Sequence, residues 1–218
     1  MEQPVRLLIV DDHPALRFGL DMLLSHSSEI VIVGEAGDGI DAIEKANELK
    51  PDVILMDIAL PKKNGLDAMR EILATNPETK ILIFSAYSDG EQIYAAIKAG
   101  AFGYLVKDSS SQILIAAIMK AHHGQPAFSR EIELNLIHQI QHGQTPDFPA
   151  EKLTDREIEI LRWLANGLTN SQIAEKAKIS EGTVRSHVSN LLHKLELENR
   201  AQAVIYAHKK GLIIINPE

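Results

Sequence analysis

The chain has 218 residues, of which 45% are hydrophobic and 24% charged, with a formal net charge of −8. These proportions exclude a disordered polymer and leave room for two modest domains, each with its own core. The absence of cysteine rules out disulfides, thiolate nucleophiles and cysteine metal sites; with no apolar run of membrane-spanning length and no basic leader, a soluble cytoplasmic protein is expected.

Charge is unevenly shared. Residues 1–124 hold 11 Lys/Arg against 18 Asp/Glu, whereas residues 151–218 hold 10 against 9. An acidic half followed by a mildly basic one fits a regulator whose second half meets an anionic polymer, but the basic excess is too small to argue nucleic acid by itself.

From the N-terminus, short apolar runs at 5–10, 30–36, 53–56, 81–84 and 103–106 alternate with helix-period segments at 14–24, 39–49, 65–74, 90–99 and 112–122. Short apolar runs separated by helical stretches read as β-α units, and parallel neighbours require crossover connections. The expected first domain, residues 1–124, is therefore a doubly wound α/β fold with a five-stranded parallel sheet. Residues 125–150 read as a linker with one helix, its apolar face formed by Ile132, Leu136, Ile137 and Ile140. Residues 151–218 read as an all-α domain of four short helices, the first opened by the capping box Thr154-Asp155-Arg156-Glu157 and ended by Gly167.

Three acids end two of the apolar runs: Asp11 and Asp12 follow the first, and Asp57 follows the third. In a parallel sheet they meet at one edge, where open α/β folds place their ligands. Clustered carboxylates repel unless a cation sits among them, and a hard divalent ion, Mg²⁺, suits oxygen donors. Ser85 and Lys107 end the fourth and fifth runs, and Pro61 and Gly65 follow Asp57. A carboxylate can attack phosphorus, while a metal and a lysine neutralise the transferred group.

The segments VDDHPALRFGL (10–20), DVILMDIALPKKNGLDA (52–68), ILIFSAYSD (81–89) and AGAFGYLVKDSS (99–110) resemble the flavodoxin-like receiver domain of two-component response regulators. The resemblance implies that Asp57 accepts a phosphoryl group from a sensor histidine kinase and that Lys107 binds it. It further implies that Asp11, Asp12, Asp57 and the carbonyl of Ala59 hold Mg²⁺, and that Ser85 and Tyr104 are the switch residues. Asp108 follows Lys107 where many receivers have proline.

In the tail, residues 171–195 read as a helix, a turn near Lys178-Ile179-Ser180 and a second helix, with Ile173, Ala174, Val184, Val188 and Leu191 facing inward. The outer face of the second helix carries Thr183, Arg185, Ser186, Ser189, Asn190 and Lys194, side chains able to read base edges and phosphates. Residues 153–207 resemble the LuxR-type helix-turn-helix domain, and the whole chain resembles the NarL/FixJ family. That resemblance implies double-stranded DNA as partner, with Arg185, Ser186 and Ser189 toward bases and Thr183 and Lys194 toward phosphates. At the position of Ser189 the family often has lysine.

One short helix-turn-helix makes few base contacts, so a homodimer is expected when the protein is phosphorylated or DNA-bound. A stripe of Ala201, Val204, Ile205 and His208 is available for self-pairing or for closing the tail's core. His138 and His142, spaced i, i+4, are read as a solvated helix face. Two rival readings are a Mg²⁺-dependent phosphotransferase acting on an external substrate, which leaves the tail unexplained, and a constitutive DNA-binding module with a vestigial receiver, which the intact Asp12, Asp57, Ser85 and Lys107 oppose.

Overall fold

The computed structural model describes residues 3–86, 90–128, 132, 153–197, 199–210 and 212. The chain divides into two compact units near His123, with Ala127 and Phe128 belonging to the first. Residues 133–152, which include His138, His142 and most of the expected linker helix, lie outside the described residues.

The first unit is a parallel sheet of β1 (Val5–Val10), β2 (Ile30–Ala36), β3 (Val53–Met56), β4 (Lys80–Ser85), β5 (Gly103–Val106) and β6 (Ala127–Phe128), in the order β2-β1-β3-β4-β5-β6. The helices are α1 (Pro14–Leu24), α2 (Gly39–Leu49), α3 (Gly65–Thr75), α4 (Gly90–Lys98) and α5 (Ser111–His122). The five expected strands are present, and a sixth adds to the edge of β5. Ala127 and Phe128 were expected in the linker, because two residues beside a proline carry no strand periodicity. They are ordered by pairing with Gly103 and Tyr104 and by burial of Ala127 among α5 residues, neither of which is local.

Strands buried on both faces need near-continuous apolar runs, and all four residues of β3 are buried. On one face Leu7, Ile9, Leu55, Leu82 and Leu105 pack against Leu20 and Leu24 of α1 and Leu114, Ala117, Ile118 and Ala121 of α5. Residues of opposite parity, among them Leu8, Ile54, Met56, Ile83 and Tyr104, are equally buried, as are Ala46 of α2, Met69 and Ile72 of α3, and Ile93 and Ile97 of α4. Helix starts follow local chemistry. Pro14 opens α1, Asp38 caps α2 by accepting from Ile40 N and Asp41 N, and Asn64 caps α3 by accepting from Asp67 N.

The second unit contains α6 (Asp155–Ala165), α7 (Asn170–Ala177), α8 (Glu181–Lys194) and α9 (Arg200–Lys209). Thr154 with Glu157 and Thr169 with Gln172 form reciprocal capping boxes, and Ser180 caps α8. Gly167, at φ 78°, ends the first of these helices in the left-handed region. Ile160 and Leu164 pack with Ile173, Ala174 and Val184. Leu161 joins Leu191, Leu195, Leu197, Ala203, Tyr206 and Ala207 in a second cluster. The face of α9 that closes this core is thus Ala203, Tyr206 and Ala207. Of the expected stripe, Val204 is half-buried, and the side chains of Ala201, Ile205 and His208 lie outside the described ones.

Candidate functional site

The sheet reverses its winding between β1 and β3, and both neighbours end at the same edge. Val10 pairs with Met56, and Asp57 N donates to Val10 O at 2.9 Å. Ligand crevices in open α/β sheets form at such a reversal. Asp11 and Asp12 leave β1 there and Asp57 leaves β3, while on the far side Lys107 N donates to Ser85 O at 2.8 Å. Parallel register therefore assembles residues that are up to 96 positions apart in the chain.

Asp11 and Asp57 are buried, at 2% and 4% exposure. Lys107 Nζ lies 2.6 Å from Asp57 Oδ2 and 2.7 Å from Asp11 Oδ2. Burial alone would push the Lys107 ammonium down, but hydrogen bonding and charge from Asp11 and Asp57 outweigh it and hold its pKa above the usual lysine value. The lysine stays a cation. Asp12 is more open, and ligand atoms of Asp11, Asp12, His13 and Asp57 all lie within 4.8 Å of one another. One ammonium, shared between Asp11 Oδ2 and Asp57 Oδ2, offsets only one of three carboxylate charges. Three oxygen donors with surplus negative charge fit a hard divalent cation such as Mg²⁺.

Backbone and neighbours fix the acids. Ala59 N donates to Asp57 Oδ1 at 3.3 Å, and Arg17 donates to Asp11 O at 2.6 Å and to Glu35 Oε2 at 2.9 Å. Gly65 opens α3 directly against the loop that follows Asp57: a Cβ there would stand 2.0 Å from Asp57 O. The loop's far end is clipped by Lys62, 2.6 Å from Asp38 Oδ2. Ser85 and Tyr104 are both buried, Tyr104 completely.

The sequence reading missed His13 and Arg17. His13 directly follows the acid pair, which was a usable signal. Arg17 shows its role only once α1 turns it back toward Asp11 O.

In the second unit, α7 and α8 enclose a turn in which Lys178 adopts φ 56°, giving the helix-turn-helix geometry. Thr183, Arg185, Ser186, Ser189 and Asn190 are exposed along α8. Arg185 lies 3.6 Å from Glu181, the Thr183 hydroxyl contacts Ser180 Oγ at 2.8 Å, and Ser186 Oγ donates to Gly182 O. Lys194 differs from the others: its ammonium sits 2.7 Å from Glu157 Oε1. His187 is half-buried.

A parallel α/β unit with an acidic, lysine-bearing edge and an all-helical unit whose helix-turn-helix exposes its second helix, α8, define a phosphorylation receiver joined to a DNA-reading module. Residues 7–119 match the response regulator receiver domain, and residues 151–207 match the luxR family of bacterial regulatory proteins. The chain belongs to the LuxR/NarL family of two-component response regulators, which are transcription factors rather than enzymes. It is 36% identical to the transcriptional regulatory protein LiaR of Bacillus subtilis (strain 168) and 39% identical to the response regulator protein VraR of Staphylococcus saprophyticus. Each match spans 96% of this chain and 99% of the relative. Among solved structures it is similar to ChrA, the response regulator of a heme-sensing two-component system, with 35% identity, a TM-score of 0.53 and coverage of 97% of this chain and 100% of that one. No helix among the described residues is long and apolar enough to cross a membrane.

Proposed function

We propose that Asp57 is the phospho-acceptor and that its phosphorylation by a sensor histidine kinase controls binding of the tail to specific double-stranded DNA. The observation that carries this reading is the placement of one cation, Lys107, within 2.7 Å of two buried carboxylates at the sheet's reversal point. A carboxylate oxygen of Asp57 attacks phosphorus, the bond from phosphorus to the donor's nitrogen breaks, and Lys107 moves its contact from the carboxylate to a phosphoryl oxygen. Asp11, Asp12, Asp57 and the carbonyl of Ala59 would hold Mg²⁺, which when bound neutralises charge on the phosphoryl oxygens. Ser85 donates its hydroxyl hydrogen to a phosphoryl oxygen, and Tyr104 is the aromatic that reports the change.

Residues 1–124 act as the receiver, 125–150 as the linker and 151–218 as the DNA-binding domain. Arg185, Ser186 and Ser189 face bases, Thr183 and Lys194 meet phosphates, and two copies pair on the DNA. The reading is tested by incubating wild type and Asp57→Asn with a small acyl phosphate and Mg²⁺ and measuring intact mass. Wild type should gain a single phosphoryl group and the variant none; equal labelling would remove Asp57 from its role.

A further inference from the structure

We infer that His13 supplies an imidazole nitrogen to the acidic cluster, so that the site also takes a borderline transition ion such as Ni²⁺. This inference rests on the proposed metal site and adds a ligand to it. His13 stands at the N-cap of α1, a position where Ser, Thr, Asp and Asn ordinarily bond the helix's free N–H groups. Its side chain makes no cap bond. The ring turns back toward the acids instead, with Nδ1 2.7 Å from Asp12 Oδ1 and 3.2 Å from Asp11 Oδ1.

Main-chain geometry fixes the base of that side chain, because His13 N donates to Asp11 Oδ1 at 2.8 Å. The imidazole itself is 69% exposed, so its nitrogen can shift by roughly a few tenths of an ångström without disturbing the core. The other carboxylate oxygen of Asp11 is held by Lys107, with Nζ 2.7 Å from Asp11 Oδ2. A nitrogen donor and three carboxylates thus converge within 4.8 Å. Metal–ligand bonds of about 2.1 Å separate ligand atoms by roughly 3 to 4 Å, so only a small contraction is needed.

The donor set decides which ions respond. Mg²⁺ prefers oxygen and retains water, whereas imidazole favours Ni²⁺, Cu²⁺ and Zn²⁺ over the hard cations. Any carboxylate cluster binds Ni²⁺ somewhat more tightly than Mg²⁺, so the absolute preference is not diagnostic. The diagnostic quantity is how the Ni²⁺ to Mg²⁺ affinity ratio changes when the ring is removed. A His13 that merely hydrogen-bonds the acids affects both ions alike.

The test is calorimetric titration of the full chain with Ni²⁺ and with Mg²⁺, separately and in competition, for wild type, His13→Ala and His13→Gln. Histidines elsewhere are common to all three proteins and cancel. We expect Ni²⁺ affinity to fall about tenfold or more in both variants while Mg²⁺ affinity changes less than about twofold, with Mg²⁺ displacing Ni²⁺ in wild type. Ni²⁺ affinity that is unchanged, or that falls in step with Mg²⁺, would overturn the inference. His13-dependent Ni²⁺ binding in a protein that takes no Mg²⁺ would support the imidazole ligand and sink the Mg²⁺ reading instead.

Discussion

Lys194 Nζ stands 2.7 Å from Glu157 Oε1, which ties the last turn of α8 to the first turn of α6. The other oxygen of Glu157 accepts from Thr154 N at 2.8 Å and from Thr154 Oγ1 at 2.9 Å. One buried carboxylate therefore closes a helix cap and holds the end of α8.

Glu157 predicts an acid-sensitive tail. Burial pushes its carboxyl up, but the hydrogen bonds from Lys194 and Thr154 outweigh that and hold it below the ordinary carboxylate value. A lowered folded pKa contributes stability that is complete above the unfolded value and is lost as pH falls through the folded one. Glu157→Ala should cost roughly 1 kcal/mol near neutrality through loss of the capping box, and less in acid. Urea unfolding at several pH values checks this; a cost independent of pH would contradict the linkage.

Lys107→Met should leave Asp11 and Asp57 buried without their cation, destabilising the metal-free receiver by about 3 kcal/mol. Because a divalent ion then takes over the counter-charge that Lys107 supplied, added Mg²⁺ should raise the thermal midpoint more in the variant than in wild type. Thermal melts across a Mg²⁺ series provide the comparison. Equal Mg²⁺ responses would mean that Lys107 and the ion do not share the same carboxylates.

Gly65→Ala should be far more damaging than an ordinary exchange at a helix start. Its Cβ meets the backbone oxygen of Asp57, which cannot rotate away as a side chain would. We expect a loss of about 1 to 3 kcal/mol together with slower phosphorylation, because the acceptor loop itself must move. Normal labelling kinetics in a folded variant would show that the loop tolerates the shift.

Most of this was legible in the sequence because the signals were local. Apolar runs bounded by caps place α1 and α2 at Pro14–Leu24 and Gly39–Leu49, as the structure has them. Asp11, Asp12, Asp57 and Lys107 could be grouped because a parallel sheet brings strand ends to one edge. What escaped was non-local. The two-residue β6 exists through pairing with β5, Arg17 acts through a carbonyl rather than its sequence neighbours, and the inward face of α9 is set by where α6 and α8 lie. Lys194 was expected to be available to phosphate, and only the fold reveals that Glu157 holds it.

On DNA, Arg185→Ala should lose about 1 to 3 kcal/mol of specific binding if its guanidinium makes a bidentate base contact, since its partner Glu181 is exposed and easily exchanged. Lys194→Ala should instead weaken all sequences alike and lower the salt slope, with an added stability loss because Glu157 loses its counter-charge. Titrations at several salt concentrations on specific and random duplexes separate the two. A uniform, salt-linked loss for Arg185→Ala would mean that α8 docks differently.

Phosphate on Asp57 is the proposed control of DNA binding. Its most direct test is the affinity and stoichiometry of the full chain on a duplex selected from random DNA, measured for wild type and Asp57→Asn with and without a phosphodonor and Mg²⁺. Wild type should bind more tightly, as a dimer, only when phosphorylated, while Asp57→Asn should be indifferent to the donor. Wild-type affinity that ignores phosphorylation, or an Asp57→Asn protein that responds to the donor as wild type does, would contradict it.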